Sequence, residues 1–144
     1  MPNRLYRALL SVLLLTMLAF SVHAEQKVTL GDWDVHYMVV GTTFLTPQVA
    51  NANDIVRSRY NALINISVLD ADTQKAQDIA ITGSATNLLG TKKNLSFKQV
   101  REGEAIYYLA QLNFRDRETY RFNVVIQQGN QSQTLKFQQE LFVD

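Results

Sequence analysis

Chemistry in this chain would have to start from very few residues. Cysteine is absent, and beyond position 24 one histidine, His36, and one methionine, Met38, remain. They stand two residues apart in WDVHYMVV (Trp33 to Val40). In an extended strand that spacing turns both side chains to the same face. Imidazole and thioether together suit Cu(I), so a copper carrier using His36 and Met38 is one reading. A working site needs three or four ligands, and no other soft ligand is left to supply them. Asp34 shares the face, but a hard carboxylate is a poor third ligand for Cu(I). The plain alternative is a histidine bonded to nearby backbone and a methionine filling space. The expectation is therefore no metal and no cofactor.

Nucleophilic catalysis has less to work with. A serine–histidine pair would have to use His36, with Asp34 to orient it, yet no serine stands on a G-x-S-x-G-like elbow. Ser67, Ser84 and Ser96 look like ordinary strand residues. Asp32 and Asp34 flank Trp33, and Asp70 and Asp72 flank Ala71. Acid–base work by such pairs needs one carboxyl desolvated in a cleft, which a thin two-layer fold scarcely provides. The glycines of TGSATNLLG do not make a phosphate loop. The chain reads as no enzyme, with a small hydrolase as the third alternative.

A different kind of site is offered by Arg57, Arg59 and Tyr60 in IVRSRYN. Two arginines beside a tyrosine form the sort of rim that anchors a partner or an acidic ligand. Arginines of this kind also pair with surface carboxylates to little effect. They sit in the longest stretch without two-residue alternation, Thr43 to Asn61. Thr46 is a plausible N-cap there, Pro47 fits the first helical position, and Asn53 or Asp54 would end a turn or two. Connections this long in a small β domain are often functional. Otherwise Phe44, Leu45 and Val49 would plug one open end of the fold.

The elements that must hold these residues are strands. Trp33, Val35, Tyr37 and Val39 alternate, as do Ile64, Ile66 and Val68, then Ile79 and Ile81, then Leu95 and Phe97. The clearest run is AIYYLAQLNF, where Ile106, Tyr108, Ala110, Leu112 and Phe114 share a side; Tyr107 and Leu109 point the other way. Tyr120, Phe122, Val124 and Ile126 follow in phase, and Leu135, Phe137, Leu141 and Val143 close the chain. Period two of this kind marks half-buried strands. REGE around Gly103, QQGNQ around Gly129 and RDRE (Arg115 to Glu118) are hairpin turns, and DADTQ ends a strand at Asp70. About seven or eight strands at this spacing predict an all-β fold: an immunoglobulin-like antiparallel β-sandwich with one short helical loop. A small closed barrel is the competing arrangement. Tyr120 occupies the place of a tyrosine-corner residue, whose hydroxyl would bond backbone.

The chain opens MPNRLYRALLSVLLLTMLAFSVHAEQ. Arg4 and Arg7 precede 13 apolar-rich residues from Ala8 to Phe20, and Val22 and Ala24 put small residues where a peptidase reads them. Residues 1–24 thus read as a signal peptide cut after Ala24, and 25–144 as a single β-sandwich domain. The run is shorter than the roughly 20 residues a helix needs to span a bilayer. An uncleaved anchor is the alternative. Of 14 basic residues two belong to the leader, leaving 12 against 13 acidic ones. That balance argues against nucleic acid, which asks for clustered lysine and arginine. No second long apolar run follows, so no membrane span is expected after cleavage.

GDWDVHY, TTFLTPQVA, NALINISVL, GSATNLLG, REGEAIYYLAQLNF and LKFQQELFVD together resemble a family of small exported bacterial proteins known only as a domain of unknown function. The likeness spans nearly all of residues 25–144. It implies a Gram-negative periplasmic location and a compact β fold, and it brings no catalytic residues. VHY fits the family pattern; methionine at position 38 departs from it, which counts against a selected ligand pair. The resulting expectation is a periplasmic, non-enzymatic binding or interaction module for a protein or envelope component, working through Thr43–Asn61.

Overall fold

The computed structural model describes residues 25–143; the export leader expected over 1–24 and its cut after Ala24 lie outside them. Within the described residues nine strands form two antiparallel sheets. They are β1 (Gln26–Leu30), β2 (Trp33–Gly41), β3 (Asn61–Asp70), β4 (Ala80–Asn87), β5 (Lys92–Leu95), β6 (Lys98–Glu102), β7 (Ala105–Asn113), β8 (Glu118–Gln128) and β9 (Gln131–Leu141). One sheet runs β1-β2-β3-β7-β6 and the other β5-β4-β8-β9. Without β1, these orders are the A-B-E-D and C′-C-F-G sheets of an immunoglobulin-like sandwich.

The count exceeds seven or eight for two reasons. The short edge strand β1, paired with Trp33 to Tyr37, has only two half-buried apolar residues, Val28 and Leu30, too few to announce itself. The apparent single strand NLSFKQV is two: β5 ends at Leu95 in one sheet and β6 starts at Lys98 in the other. Leu95 and Phe97 both still face the core, so the alternation runs unbroken through the crossing.

The interior is built from the expected in-phase sides. Trp33, Val35, Ile64, Ile66 and Val68 of the first sheet meet Phe122, Val124, Ile126 and Leu135 of the second. Phe137 lies between Tyr37 and Phe122, with ring centroids 4.5 and 4.6 Å away; the latter pair is stacked. Gly83 permits close approach, for a Cβ there would lie 3.1 Å from Val124 and 3.2 Å from Phe97. Gly103 turns β6 into β7 at φ +59, where a side chain would strain the backbone.

The tyrosine reading needs correcting. Tyr120 is fully buried, and its hydroxyl bonds no backbone group among the described residues; the Glu118 carboxylate is its polar neighbour. Burial, and then the nearby Glu118 carboxylate, push its pKa up to about 12. Tyr108 does what was expected of Tyr120. Its hydroxyl accepts from the Ile79 N–H at 2.9 Å and donates to the Gln77 carbonyl at 3.2 Å. It thereby pins the connection that carries the chain from β3 in one sheet to β4 in the other.

Candidate functional site

The irregular segment leaves the first sheet at Gly41, makes a 3-10 turn over Thr42–Phe44 and a short helix α1 (Pro47–Ala52), and returns at Asn61. Thr46 caps α1, its hydroxyl accepting from the Val49 N–H at 3.2 Å, and Pro47 opens it. Asn53 closes it and Asp54 takes φ 56. The segment does not plug an open end of the sandwich. Ala50 and Ile55, with Leu45 beside them, bury against Leu63, Val40 and Leu109. Those three point away from the core because they alternate with core residues, so the loop lies on the outer face of the five-stranded sheet. Leu109 is covered by it, whereas Phe44 and Val49 face outward.

Polar side chains hold this loop in place. The buried Thr42 hydroxyl accepts from the Ser58 N–H at 2.9 Å and donates to the Ser58 carbonyl at 3.1 Å, clamping the two feet together. Asn61, also buried, donates to the Val56 carbonyl at 2.8 Å and to Gln111 at 3.0 Å. Gln111 in turn accepts from the Val56 N–H and donates to the Asp54 carbonyl. None of these residues was singled out from the sequence; a threonine and an asparagine at the feet of a long loop were the available signal. Backbone so fully bonded is fixed, yet Phe44 is 70% exposed, Val56 66% and Tyr60 56%. The loop presents apolar side chains instead of hiding them.

Arg57 lies exposed on the irregular stretch after α1, and Arg59 and Tyr60 lie exposed on the turn that leads into β3. One Arg57 nitrogen reaches the Thr43 carbonyl at 3.4 Å. The Tyr60 carbonyl accepts from the Phe114 N–H at 2.9 Å, which places the tyrosine beside the β7–β8 turn.

His36 and Met38 sit elsewhere on the same outer face. In register His36 stands opposite Lys27 of β1 and Ser67 of β3, and Met38 opposite Asn65. Asn61 and Ser67 are six residues apart on β3, which at ~3.3 Å per residue separates the histidine from the loop's foot by ~20 Å. The nearest ionic partner of His36 is Glu25, 3.7 Å from Nδ1. Its Nε2 is buried with no hydrogen-bond partner among the described residues, so it activates no serine there. The Asn65 side-chain amide oxygen, Oδ1, is likewise buried and unbonded. Among the described residues no group of three or more histidines, cysteines or carboxylates could hold a metal.

Asp34 does not orient His36. Its carboxylate accepts from the Thr29 hydroxyl at 2.7 Å and from the Gln74 amide at 2.8 Å. The Thr29 bond first, then the Gln74 bond, hold its pKa below the ordinary aspartate value. A depressed value means stabilisation that is present above the unfolded pKa of about 3.9 and lost as pH falls through the folded one. Asp34→Asn is therefore expected to lower the melting temperature at neutral pH and to lose that deficit progressively in acid. Thermal melts of both proteins from pH 7 to pH 2 check it; a deficit that grows in acid would contradict the assignment.

With this geometry in view, the chain can be placed among known proteins. Residues 27–144 match the model for a domain of unknown function, DUF4426, and the chain belongs to that family. A solved DUF4426 family protein from Pseudomonas aeruginosa PAO1 is 40% identical, covers 85% of this chain and 98% of its own, and superposes with a TM-score of 0.76. FetP of uropathogenic Escherichia coli strain F11 shares the fold at 10% identity, with 81% of this chain and 93% of its own covered and a TM-score of 0.59. A copper-bound variant of FetP gives 0.57, also at 10% identity, covering 81% of this chain and 89% of its own. Among curated proteins, none matches. No catalytic family is among these matches, and no helix of the described residues is long and apolar enough to cross a membrane.

Proposed function

We propose that this DUF4426 protein is a non-enzymatic binding module that acts in the periplasm on a protein or envelope component, through the Thr43–Asn61 loop. One observation carries the reading: a loop fixed by buried polar clamps nevertheless exposes Phe44, Val56 and Tyr60, with Arg57 and Arg59 among them. Fixed backbone with exposed aromatic and arginine side chains loses little further entropy on association, and these are the residue types that dominate binding energy. Arg57→Ala with Tyr60→Ala should weaken capture of the partner at least about tenfold, the effect of one or two anchors lost. Melting should stay within about half a kcal/mol of the parent, as surface changes do. Capture assays and thermal melts on the same preparations decide it. Equal capture by the double variant would dispose of the loop as the site.

A second reading, a copper carrier centred on His36 and Met38, is favoured by the buried, unbonded Nε2 of His36 and by the fold likeness to a copper-bound FetP variant. It requires the domain to take up Cu(I) near one ion per chain, and His36→Ala to abolish uptake. Titration with a Cu(I)-specific chromophore tests this, and no uptake by the parent ends the reading.

A further inference from the structure

The two ends of the sandwich differ in a way that names the partner's chemistry. One end carries the β7–β8 turn, the β4–β5 turn, the end of β9 and the feet of the Thr43–Asn61 loop. Register fixes this grouping: Leu141 pairs with Glu118, Asn87 with Tyr120, and Asn61 with Asn113. Leu88 and Leu89 project from the β4–β5 turn, Phe142 follows β9, and Tyr60 and Phe44 adjoin from the loop. Among the described residues, every large apolar side chain left exposed belongs to this end or to that loop. Leu89 is 94% exposed, beside a glycine around which a Cβ would meet nothing within 4 Å. The opposite end, with the turns at Gly31, Asp70, Gly103 and Gly129, exposes none.

Charge divides the same way. The apolar end carries Arg57, Lys92, Lys93, Arg115 and Arg117. Its acids are fewer: Asp54, which pairs with Lys98 at 3.0 Å, Asp116, which accepts from the Val143 N–H, Glu118, which accepts from the Arg115 N–H and the Asn87 amide, and the exposed Glu140. The far end collects Asp32, Asp70, Asp72, Glu102 and Glu104 on its turns, against Lys75 and against Arg101, which is paired with Asp78 at 2.9 Å. A near-neutral domain is thus polarised, with its greasy tips set among cations.

Separate prongs from both sheets, set among lysines as well as arginines, are unlike the centre of a protein interface, where lysine is depleted. They suit a lipid interface. Apolar tips enter the headgroup and acyl boundary by ~5–10 Å while arginine and lysine meet phosphates. We propose that the DUF4426 domain docks this end on an anionic phospholipid bilayer. The proposal rests on the binding-module reading and specifies its partner.

The test uses the chain from Glu25 onward, whose core is complete within the described residues, so that the apolar leader cannot account for binding. It is sedimented with vesicles of phosphatidylcholine containing phosphatidylglycerol, and with phosphatidylcholine alone. Binding is expected only to the anionic vesicles, falling several-fold as salt rises. Leu88→Ser with Leu89→Ser should weaken it at least about tenfold, each leucine losing part of its burial energy. Arg115→Gln with Arg117→Asn should weaken it about tenfold or more at low salt; asparagine tolerates the positive φ at 117. All these side chains are exposed, and melting curves should match the parent. No binding by the parent, equal binding to neutral vesicles, or parent-like binding by either double variant would overturn the proposal. Vesicle failure with protein capture that still depends on Tyr60 would sink the lipid partner and leave the module standing. Loss of both would remove the two together.

Discussion

Tyr108→Ala is expected to destabilise the domain by at least about 4 kcal/mol, close to the whole stability of many domains. Two losses coincide there. The ring is 2% exposed and fills the middle of β7 in the core, where deleting an aromatic side chain costs about 3–5 kcal/mol. The hydroxyl also bonds the Ile79 N–H and the Gln77 carbonyl, and a buried group left without a partner costs a further ~1–3 kcal/mol. Tyr108→Phe separates the terms, because it keeps the ring and removes only the bonds. Denaturant melts of the two variants should therefore differ by several kcal/mol. Hydrogen exchange at the Ile79 amide should quicken in both. If Tyr108→Phe melts with the parent, the hydroxyl does not pin the crossover between sheets.

Phe122→Ala should cost about 3–5 kcal/mol by a different route. Phe122 is buried at the middle of the second sheet and stacks on Phe137, which also meets Tyr37 from the first sheet. Emptying its place leaves a cavity beside Phe137, the ring that meets Tyr37 across the sheets, and the side chains around it cannot collapse inward without moving whole strands. Phe122→Leu, which keeps most of the volume, should recover the larger part. Denaturant midpoints with an unchanged slope would support a simple packing loss. A change within about 1 kcal/mol would mean the core does not depend on this side chain.

Most of the sandwich could be read from alternation because each core strand shows one face to solvent. Ile106, Tyr108, Ala110, Leu112 and Phe114 are all buried, as their phase requires. Thr46–Pro47 and Gly103 were equally legible, since capping and positive φ are local properties. What failed to show was non-local. The crossing between β5 and β6 leaves no mark in the pattern, and β1 is too short to leave one. Tyr120 stands where a corner tyrosine belongs, but whether a hydroxyl finds backbone depends on what the rest of the chain places over it. Phe44 and Val49 were expected inside because apolar residues usually are; the loop's true cover over Leu63 and Leu109 follows from three-dimensional register. The site was legible in the same measure. Period two puts His36 and Met38 on one face, and irregularity picks out Arg57 to Tyr60. The buried Thr42 and Asn61 clamps and the gathering of Leu88, Leu89 and Phe142 at one end emerge only when both sheets are assembled.

The work of this protein is expected at its apolar, basic end. A photo-crosslinking residue placed at Tyr60, and separately at Glu104 on the opposite end, tests it in living cells. Lipid or protein adducts are expected from position 60 and none above background from position 104. Adducts from position 104 with none from position 60 would contradict it.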